Sequence, residues 1–339
     1  MQGGQQDYRG LAWRHGVLVT QRLAGMLAPI TFILPDGRQI SPMQVAPWAN
    51  EPDTGDLPGV LRGLRGDWAC IPFGYPGNKD GMAPEWASLL ASTPLDAEPH
   101  GHGSNHPWTF EDDDGTCQRL SIAYPSQSPI RGLRRVITPD PAGPAIDIDV
   151  TVETRAACDL PMGLHPTFRL PDRPGGLRIE PPPFREGRTF PSTFEPGAPL
   201  FAVNQTFSSL TAVPGLMGGV IDATRLPFSR RTEELLQLCD VEGELSLVNE
   251  AEGYRIRLTW QKEHFPSVLL WISNRGRGAA PWSGRHMALG VEPVCSAFDL
   301  GAAVATGRNP IAAGGTPTSR HFTAGEVFTT RYRIEAAPL

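Results

Sequence analysis

No apolar run in this 339-residue sequence approaches the ~20 residues that a membrane-spanning helix needs. The opening stretch, Met1 to Tyr8, has neither a basic nor an apolar segment, so no secretory signal is read there. Positive charge is in short supply. The 30 Lys and Arg stand against 36 Asp and Glu, a formal net charge of −6, which leaves no electrostatic footprint for nucleic acid. Arg131, Arg134 and Arg135 cluster, but no basic stripe interleaved with aromatics follows. Cysteine is scarce and unpatterned. The five residues, at 70, 117, 158, 239 and 295, form no C-x-x-C, and their odd number argues against a disulfide framework. Thiols in a reducing compartment are the expectation, with the cytoplasm as location. No internal repeat is visible, and no linker splits the chain in two.

Glycine and proline are plentiful, 37 and 35 residues, and are spread along the chain. Proline at that density would break a helical bundle at about 3 kcal/mol for each interior position. It suits many short strands separated by turns. The 40% hydrophobic content is enough for a packed core. The expected fold class is therefore all-β, with a loose tail over 1–10 and a single domain over 11–339. Gly16–Thr20, Ile30–Leu34 and Gln39–Val45 read as strands, the latter two joined through Asp36-Gly37. Leu120–Tyr124, Gly132–Thr138, Ala145–Glu153, Gly176–Glu180, Glu244–Val248, Tyr254–Gln261, Ser267–Ser273, Ser319–Phe322 and Glu326–Glu335 follow. From Ile146 to Val152 every second residue is apolar, so Asp147 and Asp149 belong to a solvated face. Met82–Leu90 and Glu233–Leu238 are the helix candidates. The acidic run Glu111 to Asp114 lacks an EF-hand pattern and reads as a solvated turn.

Three stretches carry residues suited to proton transfer. Pro99 to Trp108 reads P-H-G-H-G-S-N-H-P-W and holds His100, His102 and His106, in a context too rich in glycine and proline for a helix. Leu160 to Phe168 sets His165 between an apolar residue and a proline. Met287 to Cys295 is an apolar strand carrying one carboxylate, Glu292, which must be paired, exposed at the strand end, or functional. A fourth stretch, Leu61 to Asn78, is dense in Gly, Pro and aromatic residues and carries two arginines.

In that order the stretches resemble the aldose 1-epimerase (galactose mutarotase-like) superfamily. The resemblance rests on His100-Gly101…Pro107-Trp108, on Leu164-His165-Pro166-Thr167-Phe168 and on Gly290-Val291-Glu292-Pro293-Val294. Arg65 to Gly77 resembles the family's arginine- and aromatic-rich segment, and Val268-Leu269-Leu270-Trp271 its apolar strand ending in Trp. The resemblance implies a large antiparallel β-sandwich with a sugar cleft on a concave sheet. It implies anomer interconversion of an aldose, with Glu292 as base, His165 as acid, and His100, Arg65 and Trp108 binding substrate. No metal and no organic cofactor is implied. The implied partner is a small-molecule sugar, without nucleic acid or membrane, for a monomer or homodimer. A neighbouring carboxylate is expected to keep His165 protonated, with Glu292 ionised at neutral pH.

Three departures qualify the likeness. The hexose-6-phosphate branch has an arginine four residues after its first motif histidine, and Ser104 stands there, which favours a free sugar. Arg62 is as well placed in sequence as Arg65. The family's additional acidic residue has three candidates, Glu233, Glu234 and Asp240. Other readings are a carbohydrate-binding protein without turnover, a hexose-6-phosphate mutarotase, a lyase, or histidines that only pack. A lyase would be expected to use a tyrosine or arginine near a uronate site, and none of the five tyrosines falls in the three stretches.

Overall fold

The computed structural model describes residues 7–52, 54–75, 81–90, 98–112 and 114–339. Residues 1–6 of the expected tail, Asp113 of the acidic turn, and residues 76–78 of the aromatic loop lie outside them. Two large antiparallel sheets form the body. One has nine strands, with Tyr254–Trp260, Val327–Pro338, Ala145–Thr154, Ile130–Pro139 and Gln118–Ala123 running side by side. The other has eight. Glu186–Thr189, Thr232–Cys239, Ser267–Asn274, Met287–Cys295, Met162–Leu164 and Ala69–Cys70 follow one another across it.

The facing sides of the sheets share one core. Ile146, Ile148, Val150, Ile256, Leu258 and Tyr332 of the nine-stranded sheet pack with Val268, Leu270, Ile272, Leu289 and Val291 of the other. On the outer face of the nine-stranded sheet the alternation read from Ile146 to Val152 holds. Asp147 and Asp149 pair across the strand with Arg333 and Arg331, at 2.6 and 2.7 Å.

The eight-stranded sheet is buried on both faces. Leu269, Trp271, Leu235 and Val294 point away from the sandwich interior into a second core, which is roofed by loops and holds Trp48, Trp68, Trp86, Trp282 and Phe298. This double burial corrects one expectation. Glu233–Leu238 is not a helix but lies in the strand Thr232–Cys239, every residue of which is buried. A strand apolar on both sides loses the period of two, and its Glu, Leu and Gln are good helix formers. The other helix candidate shortens to Pro84–Ala87. Residues 8–10, expected in the tail, belong to the strand Tyr8–Trp13, which pairs with Gly16–Gln21. Gln39–Val45 is a strand only over Gln39–Ile40, with single bridges from Met43 and Val45.

One buried polar knot fixes the segment that leads into the second core. The Asp67 carboxylate accepts hydrogen bonds from Arg135 and Tyr332, and neither Asp67 nor Arg135 is exposed. Arg135 also donates to the Gly25 carbonyl at 2.6 Å. The backbone of Asp67 exchanges hydrogen bonds with Leu27. Trp68, the next residue, is thereby held against the eight-stranded sheet. Among the described residues no helix is long and apolar enough to cross a membrane.

Candidate active site

The floor of the site is the second-core face of three strands. Register sets Trp271 opposite Gly290 and Leu269 opposite Glu292. Residues two apart share a face, so Gly290, Glu292 and Val294 all point outward from the sandwich interior. Gly290 is small for a reason. A Cβ there would lie 2.4 Å from Glu292 Oε1, so the absent side chain is the space the carboxyl occupies.

His165 reaches the same place by a break in a strand. Met162–Leu164 and Thr167–Arg169 both pair with Met287–Cys295, and His165-Pro166 bulges between them. Val291 N–H donates to the Pro166 carbonyl at 2.8 Å, which fixes the bulge over the glutamate. His165 Nε2 comes to 3.3 Å from Glu292 Oε1. Its ring stacks on Trp68 at 3.9 Å between centroids, tilted by 15°. His100 approaches it edge-on at 5.4 Å. His100 sits in a left-handed turn, φ 57°, and its backbone N–H donates to the Gly74 carbonyl at 2.7 Å. A non-glycine residue in that conformation is costly and is found where the surroundings hold it.

Burial decides the electrostatics. Glu292 is 2% exposed and His165 5%. Burial, reinforced by the Asp299 carboxylate, pushes the Glu292 carboxyl well above its ordinary value. Burial, reinforced by His100, pushes the His165 imidazole well below its own. Both directions run against the expectation of an ionised glutamate beside a protonated histidine. The hydrogen bonds agree with a neutral ring. Thr167 Oγ1 donates to the His165 carbonyl at 3.3 Å and lies 3.1 Å from His165 Nδ1. A ring with its proton on Nδ1 donates to Oγ1 and leaves Nε2, 3.3 Å from Glu292 Oε1, as the bare nitrogen.

Above this pair opens a cleft of about 500 Å³, lined by aromatic and ionisable side chains. Trp68, Trp271, Trp282 and Tyr75 supply flat apolar walls, and His100, Glu195, Arg277 and Asp299 join the pair as polar groups. Arg277 lies over the Trp282 ring, 4.4 Å from its centroid, and pairs with Glu233 at 3.4 Å and Glu195 at 3.9 Å. Glu233 in turn accepts from Trp271 Nε1 at 2.8 Å and from Ser273 Oγ at 3.0 Å. The cation of the cleft is thus engaged by carboxylates. The arrangement suits a neutral polyhydroxyl ligand: rings for its C–H faces, alternating donors and acceptors for its hydroxyls.

Solved structures of the same architecture exist. The GalM/aldose epimerase homologue from C. elegans superposes with a TM-score of 0.63 at 13% identity, covering 98% of this chain and 99% of that one. A galactose mutarotase-like protein from Lactobacillus casei gives 0.60 at 15% identity, covering 97% and 99%. The galactose mutarotase related enzyme from Lactobacillus acidophilus gives 0.61 at 11%, covering 97% of each chain. The chain has the galactose mutarotase-like fold. No family model and no curated protein matches its sequence.

Within this mutarotase-like fold, His100, His165 and Glu292 converge, whereas Arg65 and Trp108 do not line the cleft. Arg65 is 4% exposed, and its guanidinium donates to the Gly63 carbonyl at 3.0 Å and to Asn50 Oδ1 at 3.0 Å. It ties loops together behind the wall. Arg62 turns to the Gly55 carbonyl instead. Trp108 is fully buried against Gly25 and donates to the Gly103 carbonyl at 2.8 Å, so it packs the histidine loop. Ser104 is likewise buried, its hydroxyl donating to the His100 carbonyl at 2.8 Å. Of the three acidic candidates, Glu233 is the one beside the cleft. Glu234 points to the opposite face and accepts from the Leu200 and Phe201 N–H groups, with burial lifting its carboxyl to about 7. Asp240 is exposed and pairs with Arg185. Sequence reasoning missed Arg277, read only as part of a turn, and Asp299 and Glu195, whose surroundings carry no recognisable motif.

Proposed function

We propose that the protein is an aldose 1-epimerase acting on a free, uncharged sugar, with Glu292 and His165 as the proton-transfer pair. The observation that carries this reading is the 3.3 Å contact between His165 Nε2 and Glu292 Oε1 at the floor of an aromatic cleft. Anomer exchange needs one proton removed from the C1 hydroxyl and one delivered to the ring oxygen. A buried pair holding a single proton has one group ready for each task. Acid–base assistance of this kind contributes about 10²–10⁴-fold.

Before sugar binds, burial favours the protonated carboxyl and the neutral imidazole. Sugar hydroxyls that hydrogen-bond to the carboxyl favour its ionised form and move the proton onto His165. Glu292 then takes the proton of the C1 hydroxyl while His165 protonates the ring oxygen. The ring opens, the C1–C2 bond rotates, and the steps reverse on the other face. His100 hydrogen-bonds near C1 and the ring oxygen. Stacking on Trp68 holds the His165 plane fixed throughout. The preference for an unphosphorylated sugar rests on charge: Glu195 and Asp299 line the cleft, and Arg277 is already paired.

The test is anomer exchange followed by NMR saturation transfer over a panel of free aldoses and their 6-phosphates, with Glu292→Gln and His165→Asn as controls. Acceleration on a free sugar, lost in both variants while sugar affinity remains, is the expected result. Acceleration confined to phosphates overturns the charge argument. Binding without acceleration on any sugar makes the protein a carbohydrate binder.

A further inference from the structure

The histidine loop sends one imidazole to the cleft and two elsewhere. His102 and His106 gather with Glu98 on the far side of the turn. Their rings stack at 4.0 Å between centroids, tilted by 24°. Glu98 Oε1 is 2.6 Å from His106 Nε2, and Oε2 is 3.4 Å from His102 Nδ1. One nitrogen of each ring and one carboxylate oxygen all lie within 4.8 Å of one another. The backbone beneath them is rigidly tied. Asn105 Nδ2 donates to the Pro99 and Gly101 carbonyls at 2.7 and 2.9 Å, and Gly103 N–H donates to Tyr124 OH at 3.0 Å. The proposed mutarotase chemistry uses none of these three side chains.

We propose that Glu98, His102 and His106 form a binding site for one divalent transition-metal ion of the zinc class. Two imidazoles and a carboxylate are the donor set of zinc, cobalt and nickel sites, whereas magnesium and calcium take oxygen donors. Tetrahedral zinc with bonds near 2.0–2.1 Å sets its donors about 3.3 Å apart. The side chains here are 36%, 18% and 42% exposed, so small rotations of Glu98 and His106 close that gap, and water fills the remaining position. Glu98 and His102 flank His100 on either side. An ion held by them staples the left-handed turn that presents His100 to the cleft.

The experiment is calorimetric titration of chelator-treated full-length protein with Zn²⁺, repeated with Co²⁺ under visible absorption. The expected result is one equivalent bound at about 1 μM or tighter, with cobalt d–d bands showing nitrogen ligation. Zn²⁺ raises the melting temperature, and Mg²⁺ and Ca²⁺ do not. In the double variant Glu98→Gln, His106→Asn the affinity falls by about a hundredfold or more, while His321→Asn, at an exposed histidine elsewhere, leaves it intact. The single variant His106→Asn replaces the double one if the latter does not fold. Affinity weaker than about 1 mM, or affinity unchanged by loss of the ligands, overturns the proposal. Neither outcome bears on the anomer-exchange reading, whose assay is separate.

Discussion

Replacing Glu292 by glutamine removes a buried titratable group without changing its shape, and the proton count of the pair sets how stability then responds to pH. The ordinary carboxyl value is 4.5, and the folded value lies well above it. Glu292 therefore contributes stability that is present below pH 4.5 and is lost as pH rises toward its folded value. The ordinary imidazole value is 6.5, and His165 is depressed in the fold, so its contribution is present above pH 6.5 and lost as pH falls. Together the folded pair holds one proton. The unfolded chain holds two at these sites below pH 4.5, one between 4.5 and 6.5, and none above. The pair thus leaves wild-type stability flat between 4.5 and 6.5 and makes it fall above. In Glu292→Gln the folded site holds no proton, so its contribution rises with pH up to 6.5 and is flat beyond. The stability of the variant relative to wild type should therefore climb by about 1.4 kcal/mol per pH unit from pH 4.5 up to the folded value of Glu292. Other buried acids, Glu233 and Glu234 among them, titrate in both proteins and cancel. Urea denaturation of both proteins at half-unit pH steps measures the difference, and the pH at which it levels off gives the folded value for Glu292. A difference that does not change with pH means the folded pair holds no proton, and the burial argument is then wrong. Proton linkage counts the proton without locating it. The ¹³C shift of the Glu292 carboxyl places it on Glu292 or His165.

Three further outcomes rest on the geometry. Gly290→Ala puts a methyl where Glu292 Oε1 now lies, so it should cut kcat by tenfold or more in the anomer-exchange assay while the melting temperature holds within a few degrees; unchanged kcat would show that the carboxyl position is immaterial. Arg277→Met leaves the fully buried Glu233 without its cation and should cost about 2 kcal/mol in urea denaturation, less than a fully buried pair because Arg277 is a quarter exposed, and a loss below about 0.5 kcal/mol argues against the pairing. Asp67→Asn strands the buried Arg135 charge and should cost about 3–5 kcal/mol by the same measurement, and a neutral result would mean that Arg135 finds other partners.

The sequence revealed most where each strand has one wet face. Ile146 to Val152 and Tyr254 to Trp260 alternate in the text and alternate in burial. It revealed least at the sheet with two dry faces. Thr232–Cys239 shows no alternation because both sides are covered, one by the opposing sheet and one by the loops of the second core. The site followed the same division. His100, His165 and Glu292 carry their signal in the residues beside them: a glycine, a proline, an apolar strand. Arg65 carried the same kind of signal and went elsewhere, because a guanidinium in a loop satisfies itself with whatever carbonyls the loop presents. Arg277 reaches the cleft only because the turn after Ser267–Asn274 folds back over Trp282, which spacing along the chain does not encode.

The double burial of the eight-stranded sheet gives its residues two separate audiences. In Met287–Cys295, Leu289 and Val291 face the interior shared with the nine-stranded sheet, while Gly290 and Glu292 face the cleft. Adjacent residues therefore answer to different partners. A substitution at an odd position changes the sandwich core and one at an even position changes the cleft, so what couples the two is the backbone they share.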